Sequence, residues 1–323
     1  MHPALSVIFF TTLSGAGYGL WFLLALGVLA GAPQPASLRL TALLCGLALV
    51  SAGLLASLSH LGQPQRAWRA LSQWRSSWLS REGVAALLTF LPALALLGAQ
   101  LAALHRPDAT PGAAATVAAL LLALGCGVTV FCTARIYTSL KPIADWHNPW
   151  VLPVYLLLGL YSGALWLWAL ADLAGAALRV PASLANAALV ALGAMAGAAL
   201  KLAYWRDTDT RQTLATPEGA TGLTALGRVR SLERPHSEAN YLTREMGFVL
   251  ARKHATVLRR AALLLAFALP LLLLDLALAW PTAQRACALL ALGSGSVGIF
   301  VERWLFFAQA RHTVMLYYGA ERA

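Results

Sequence analysis

Two residues with acid–base capacity flank one connection in an otherwise apolar chain. His60 ends the run Ser57-Leu58-Ser59-His60, and Glu82 follows Leu79-Ser80-Arg81. Gly62 and Pro64 break the helix between them; Arg66 follows, with Trp68, Trp74 and Trp78 close by. An imidazole titrates near neutral pH, a nearby carboxyl group relays protons, and a guanidinium stabilises negative charge developing on a carbonyl oxygen. Such a set suits an apolar dicarbonyl, a quinone, which takes up two electrons and two protons. A quinone needs an apolar slot open to lipid and hydrogen-bond donors at its polar end. The same residues also read as an interfacial His, a helix-capping Glu and a Trp belt. Residue types alone leave both readings open.

Two further clusters fall at the same depth. Ala134-Arg135-Ile136-Tyr137-Thr138 precedes Trp146-His147-Asn148-Pro149-Trp150. Tyr137 could donate to a quinone carbonyl beside Arg135; a snorkelling Arg among belt aromatics is the ordinary alternative. Glu302-Arg303-Trp304, with Arg311-His312, closes the last apolar stretch, and the simplest reading pairs Glu302 with Arg303. No hydrolytic triad, P-loop or zinc motif is present. All seven His lie in loops or at helix ends, whereas bis-His haem needs facing imidazoles inside a bundle, so no haem is expected. Cys45, Cys126, Cys132 and Cys287 form no CxxC and fall inside apolar runs; they read as buried free thiols, not metal or cluster ligands.

The elements that must position these residues are membrane helices. Hydrophobic residues make up 59% of the 323 and charged residues 11%, against about 25% charged in a soluble domain. The apolar residues gather in runs of roughly 20, enough for a helix to span the hydrocarbon core, and lipid forces each span to satisfy its own backbone. The runs do not alternate as barrel strands do. The fold class is therefore an all-α integral membrane protein, a bundle of about eight transmembrane helices. Spans are predicted near 8–30, 38–58, 83–104, 113–136, 150–174, 183–203, 257–279 and 284–307. They form one polytopic domain over 1–323, with a loop and helix insertion at 204–256. Within the insertion, Asp207–Thr224 reads as loop and Ser237–Arg260 as helix. The start of the chain has no basic n-region and reads as a full span, not a cleavable signal.

A net charge of +11 raises nucleic acid as a partner, but the charges lie between spans, as topology signals do. With eight spans, 20 of the 24 Lys and Arg fall on the side holding both termini, and Arg39, Arg106, Arg179 and Arg285 on the other. The positive-inside rule puts the termini, the His60 connection and the insertion in the cytoplasm. The insertion reads equally as a basic segment meeting anionic headgroups or as a docking surface for a cytoplasmic partner. Docking candidates on this side are Arg69, Arg75, Trp146, His147, Arg228 and Arg230.

The motif Ser59-His60-Leu61-Gly62 with Pro64, Arg66 and Ala67, then Leu79-Ser80 and Glu82, resembles the signature of the dimethyl sulfoxide reductase membrane-anchor family. Arg135-Ile136-Tyr137-Thr138 with Trp146, and Arg303 with Phe306 and His312, are similar to its fourth-span exit and last helix. The resemblance implies an anchor subunit, itself without metal, that exchanges electrons with ubiquinone or menaquinone. Its partners would be a ferredoxin-like iron–sulfur subunit and a molybdopterin catalytic subunit. It implies quinone binding by His60 and Glu82 and, more weakly, by Arg66, Arg135 and Tyr137. The long 204–256 insertion and the cytoplasmic charge of the His60 side depart from the reductase pattern, whose partners face outward. They are more similar to the branch serving a cytoplasmic, quinone-reducing sulfite dehydrogenase in a bacterial inner membrane. Anchors of sulfoxide, polysulfide or tetrathionate complexes remain open at this point, because that chemistry occurs in other subunits. Two other classes also remain. A secondary transporter favours midplane polar residues on paired broken helices, of which only Asp275 hints. A passive anchor would carry no quinone site.

Overall fold

The computed structural model describes residues 3–59, 61–103, 112–174, 181–211, 215–230, 232–233, 238, 246 and 250–320, with backbone alone at 181–184 and 250–251. Eight long helices carry the fold: α1 (Leu5–Leu29), α2 (Ala36–Leu58), α3 (Trp78–Ala103), α4 (Ala113–Thr138), α5 (Val151–Leu173), α6 (Pro181–Thr210), α7 (Ala255–Ala279) and α8 (Gln284–Ala308). Each is long and apolar enough to cross a membrane, and no strand occurs among the described residues. The predicted spans match these helices with two main differences. α3 begins at Trp78 instead of 83, and α6 runs to Thr210 instead of 203. The extra turns of α6 carry an Arg211–Asp207 pair at 2.7 Å, an i,i+4 contact that steadies a helix end projecting past the apolar stretch. Of the helix expected at Ser237–Arg260, the structure describes Leu250–Lys253 and the start of α7; residues 237, 239–245 and 247–249 lie outside the described residues.

α1 and α5 form the centre. In their most apolar stretches 67% and 78% of residues are buried, against 28% in both α2 and α3, which therefore form the rim. The two central helices cross through Gly15 and Gly19 on one and Gly159 and Gly163 on the other. A Cβ at Gly19 would strike the Gly159 carbonyl, and one at Gly163 would strike the Gly19 backbone. In lipid, association comes from such close packing and not from hydrophobic drive, so small residues four apart mark the contact.

α7 is interrupted by a π turn at Leu264–Ala268. Pro270 has no N–H to give the Ala266 carbonyl, and the Tyr161 hydroxyl of α5 donates to that carbonyl instead, at 2.5 Å. A freed backbone group inside a bundle is thus satisfied by a neighbouring helix.

Successive spans alternate in direction, so the ends of α2, α4, α6 and α8 share one face. Three contacts there tie the α4–α5 connection to α6, α8 and the segment after α8: Trp146 Nε1 donates to Phe306 O at 3.0 Å, Tyr204 to Asp145 O at 3.2 Å, and Thr313 N to Pro142 O at 3.0 Å. This loop face also carries the segment Pro64–Gln73, a 3-10 helix with no buried residue.

Candidate functional site

Glu82 lies one turn into α3 and is only 5% exposed. Its carboxylate accepts a hydrogen bond from the Thr133 hydroxyl of α4. Two turns deeper on α3 and one on α4, Thr89 and Thr129 meet at 3.3 Å across the same two helices. The α2–α3 connection is pinned above Glu82. The Ser80 hydroxyl donates to the Ala70 carbonyl, and Arg81 donates to the carbonyls of Trp74 and Arg75 at 2.9 and 2.6 Å. The Arg81 and Arg135 guanidinium carbons lie 4.3 and 5.1 Å from the centre of the Trp78 ring, within the range of cation–π attraction.

A second polar group is deeper inside. Lys201 of α6 and Arg303 of α8 each meet Glu302 at 2.5 Å, and none of the three exceeds 3% exposure. The Lys201 ammonium lies 4.1 Å from the Tyr204 ring and 4.8 Å from Trp205. The Arg303 guanidinium lies 4.3 Å from Tyr155 and 5.1 Å from Phe306. Cations this far from water need both counter-charge and ring faces. At the edge of the loop face Arg259 of α7 grips Asp209 of α6 in a two-pronged pair at 2.6 and 3.0 Å.

Beside the Glu82–Thr133 hydrogen bond lies a small cavity walled by α1, α4, α5 and α8, its wall mostly apolar with a few polar groups. Thr12, Ser14, Thr133, Tyr155, Ser162 and Arg303 contribute to its lining. It adjoins an apolar cleft of about 270 Å³ among α1, α4 and α5, lined by Phe22, Cys126, Val130 and Leu160 among others; Tyr18, Val130 and Gly159 line both. An apolar slot with a polar inner end is the form a quinone requires: hydrocarbon walls for the ring and tail, and donors and a carboxyl group for the carbonyls.

Over residues 1–309 the chain matches the family model described as DMSO reductase anchor subunit (DmsC). This chain belongs to that anchor-subunit family. The anchor is 33% identical to the C subunit of the sulfite dehydrogenase of Allochromatium vinosum, over 98% of this chain and 99% of that one. It is 30% identical to the C chain of the anaerobic dimethyl sulfoxide reductase of Escherichia coli, over 58% of this chain and 65% of that one. The protein is thus a multi-pass membrane anchor subunit of a reductase-type complex, which implies catalytic and iron–sulfur partners.

In this anchor the described residues singled out by sequence are spread over several places. His60 lies outside the described residues. Glu82 and Arg135 stand at the α3–α4 seam, while Arg66 is exposed on the 3-10 segment. Tyr137 is buried in an aromatic cluster, stacked on Tyr155 at 5.6 Å and edge-on to Trp146 at 5.3 Å. Of the docking candidates, Trp146 is 6% exposed and joins that cluster beneath the surface. His147 is exposed, with Nδ1 at 2.6 Å from Thr138 O. Arg69 and Arg75 lie beside Trp68 and Trp74, which are 67% and 52% exposed. Arg228 and Arg230 flank Val229, whose N–H meets Glu218 at 2.9 Å. The expected Glu302–Arg303 pair is present, and Lys201, assigned by sequence to a helix end, completes it. Lys201 is two turns inside α6 because that helix continues to Thr210. Cys126, Cys132 and Cys287 are buried and Cys45 half-buried, all as free thiols.

The loop face has its own electrostatics. Asp145 accepts a hydrogen bond from Arg311 N at 3.1 Å. Burial pushes its carboxyl group above the ordinary value, against the pull of Arg311, Arg211 and Arg252. His312 is lowered from its ordinary value by desolvation, and its Nδ1 accepts from Val314 N at 3.0 Å.

Proposed function

We propose that this anchor exchanges electrons with quinone for a cytoplasmic sulfite-oxidising complex. A molybdopterin subunit would oxidise sulfite, an iron–sulfur subunit would carry the electrons, and the anchor would hold the ubiquinone or menaquinone that receives them, with no haem. The observation that carries the quinone reading is Glu82, buried, bonded by Thr133, and close to the polar inner end of an apolar cleft. Near full-length similarity to the anchor of a sulfite dehydrogenase supports the substrate assignment. The distribution of 20 Lys and Arg against four supports a cytoplasmic loop face in a bacterial inner membrane, with both termini there.

A quinone supplies a two-electron, two-proton redox couple. The residues of this chain do the rest. Glu82 holds or yields a proton at its carboxyl oxygens, and the Thr133 hydroxyl fixes which oxygen faces α4. The motif adds His60 and Arg66 to the donor set, and Arg135 braces Trp78 over the seam. Tyr137 supports the site from behind through the Tyr155 stack. The iron–sulfur partner docks on the loop face, over Arg69 and Arg75 on the connection, His147 above buried Trp146, and Arg228 and Arg230 of the insertion. Arg clusters beside aromatic rings recognise carboxylates on a partner surface.

The test is sulfite-dependent reduction of a soluble quinone analogue by the purified complex, wild type against His60→Ala, with artificial-dye reduction as the control for intact partners. Loss of the quinone step alone in the variant supports both assignments. An intact complex without sulfite activity points to a sulfoxide or polysulfide complex instead. An unaffected variant returns the chain to a passive anchor.

A further inference from the structure

The Lys201–Glu302–Arg303 group has more polar capacity than its own pairing uses. Arg303 is 3% exposed, and its Nη2 finds no hydrogen-bond partner among the described residues. The Thr12 hydroxyl of α1 likewise has none, although its oxygen is buried. Both residues line the cavity between α1, α4, α5 and α8, as does Thr133, whose hydroxyl is bonded to Glu82. Buried polar atoms in native structures are satisfied by protein or by ordered water. The cavity offers about 20 Å³ to water centres, and about 10–15 Å³ is enough for one water if two or more polar partners surround it. Arg303 Nη2 can donate to such a water, and the Thr12 and Thr133 hydroxyls can accept from it.

We infer that this cavity is a hydrated proton-transfer site serving Glu82, and that Arg303, held by Glu302 and Lys201, positions its water. The inference rests on the quinone reading above. Reduction of one quinone takes two electrons from the iron–sulfur partner and two protons from the protein. When the Glu82 carboxyl group gives up a proton, the Thr133 O–H passes its proton to the Glu82 carboxylate and takes one from the water. The water regains its proton from bulk solvent at the loop face. That face is near: Thr12 is seven residues from the first residue of α1, about 10 Å along the axis. No charge is left behind, and Arg303 never loses a proton. It is a positioning residue whose fixed cation keeps the water's hydrogens turned toward the hydroxyls.

Three other features make the assignment specific. Glu302 bonds Arg303 at Nε, which leaves the other side of the guanidinium for the cavity. Tyr155 covers the guanidinium face, so rotation away from the cavity is blocked. Lys201 balances the second Glu302 oxygen, so the carboxylate is not free to draw Arg303 inward.

Two measurements on the purified complex decide the matter. The first is an experimental structure at a resolution that shows water. Ordered density within hydrogen-bond distance of Arg303 Nη2 and of the Thr12 or Thr133 hydroxyl is expected, and a dry cavity overturns the inference. The second is quinone-analogue turnover in H₂O and D₂O for wild type, Thr12→Val and Thr12→Ser. Thr12→Val keeps the shape and removes the hydroxyl. It should lower kcat about tenfold, raise the solvent isotope effect, and leave dye-linked activity unchanged, while Thr12→Ser restores kcat and the isotope effect. A merely structural role for Thr12 would not move the isotope effect. Wild-type kcat and isotope effect in Thr12→Val overturn the inference with the quinone reading intact. Wild-type enzyme that reduces no quinone overturns the quinone reading and the relay with it.

Discussion

Glu82 and Glu302 are the same residue type, buried to nearly the same degree at the same end of the bundle, and their surroundings are opposite. Glu302 touches two cations at 2.5 Å each, and aromatic rings enclose those cations. Glu82 has one neutral partner, the Thr133 hydroxyl, and two cations of the same seam are engaged elsewhere: Arg81 on two carbonyls of the connection and on Trp78, Arg135 on Trp78. A buried carboxylate tied to two cations joins helices; removing one member exposes the others to the full cost of an unpaired charge. A buried carboxylate held by one hydroxyl ties nothing that a carboxamide could not tie equally well. On the quinone reading proposed above, the contrast separates a structural clamp from a group kept available for a ligand.

The sharpest way to break that contrast is to exchange the two acids for amides. Glu302→Gln leaves Lys201 and Arg303 facing each other without counter-charge. It should cost about 3–5 kcal/mol, enough to abolish accumulation of the complex in membranes, read by immunodetection and by thermal denaturation in detergent. Glu82→Gln keeps a hydrogen-bond acceptor for Thr133 and should change stability by about 1 kcal/mol or less. Its quinone-linked turnover should fall by about 100-fold or more, the usual worth of a positioned acid or base, while dye-linked activity persists. Equal instability in the two variants would erase the distinction, and unchanged quinone turnover in Glu82→Gln would remove Glu82 from proton exchange.

How far the sequence discloses these two sites differs for a physical reason. Glu82 is legible because it follows a helix break, beside a His and a row of Trp, in a motif of local spacing. The Glu302–Arg303 pair is legible because its members are adjacent. Lys201 is not: it is a hundred residues away, and hydropathy treats a lysine near a span end as the end itself. Only the polar turns Tyr204–Thr210, which α6 continues through, signal that Lys201 is internal. The eight spans were readable because lipid leaves the backbone no other solution. The α1–α5 crossing was not, although Gly15-x-x-x-Gly19 and Gly159-x-x-x-Gly163 spell it out, since nothing local says which two helices meet. Tyr137 and Trp146 show the same limit. Their positions at a span end suit a ligand or a surface, and only the fold reveals Phe306 and Phe307 packed against both.

A smaller effect sharpens the comparison from the packing side. If the Glu302 end of the bundle is a clamp, the broken helix α7 beside it depends on similar ties. Tyr161→Phe removes the one hydroxyl that satisfies the Ala266 carbonyl and should cost about 1–3 kcal/mol, the penalty of an orphaned buried acceptor. The effect should appear as a lower denaturation midpoint with quinone turnover unchanged in the surviving complex. No change in the midpoint would mean that the π turn satisfies its own carbonyl.

The smallest expected effect lies on the loop face, where the clamp ends and the C-terminal segment begins. His312 accepts a hydrogen bond from Val314 N, which only a ring nitrogen without a proton can do. Desolvation lowers its pKa below the ordinary value of about 6.5. A lowered folded-state pKa means that the neutral form is the one folding favours. Its contribution is therefore complete above pH 6.5 and is lost as pH falls through the lowered value. Asp145, which holds Arg311 N, runs the other way: burial raises its pKa, so it takes up a proton more readily than a free carboxyl group as pH falls. The two contributions are separated by His312→Phe, which keeps a ring and removes the titration. The protection factor of the Thr313–Leu316 turn, its exchange rate divided into the intrinsic rate at each pH, should fall several-fold in wild type between pH 7.5 and 5. In the variant protection should be low at both pH values, while protection in α8 stays constant throughout. Protection that is independent of pH in wild type would mean that the turn is held by Thr313 N on Pro142 O alone.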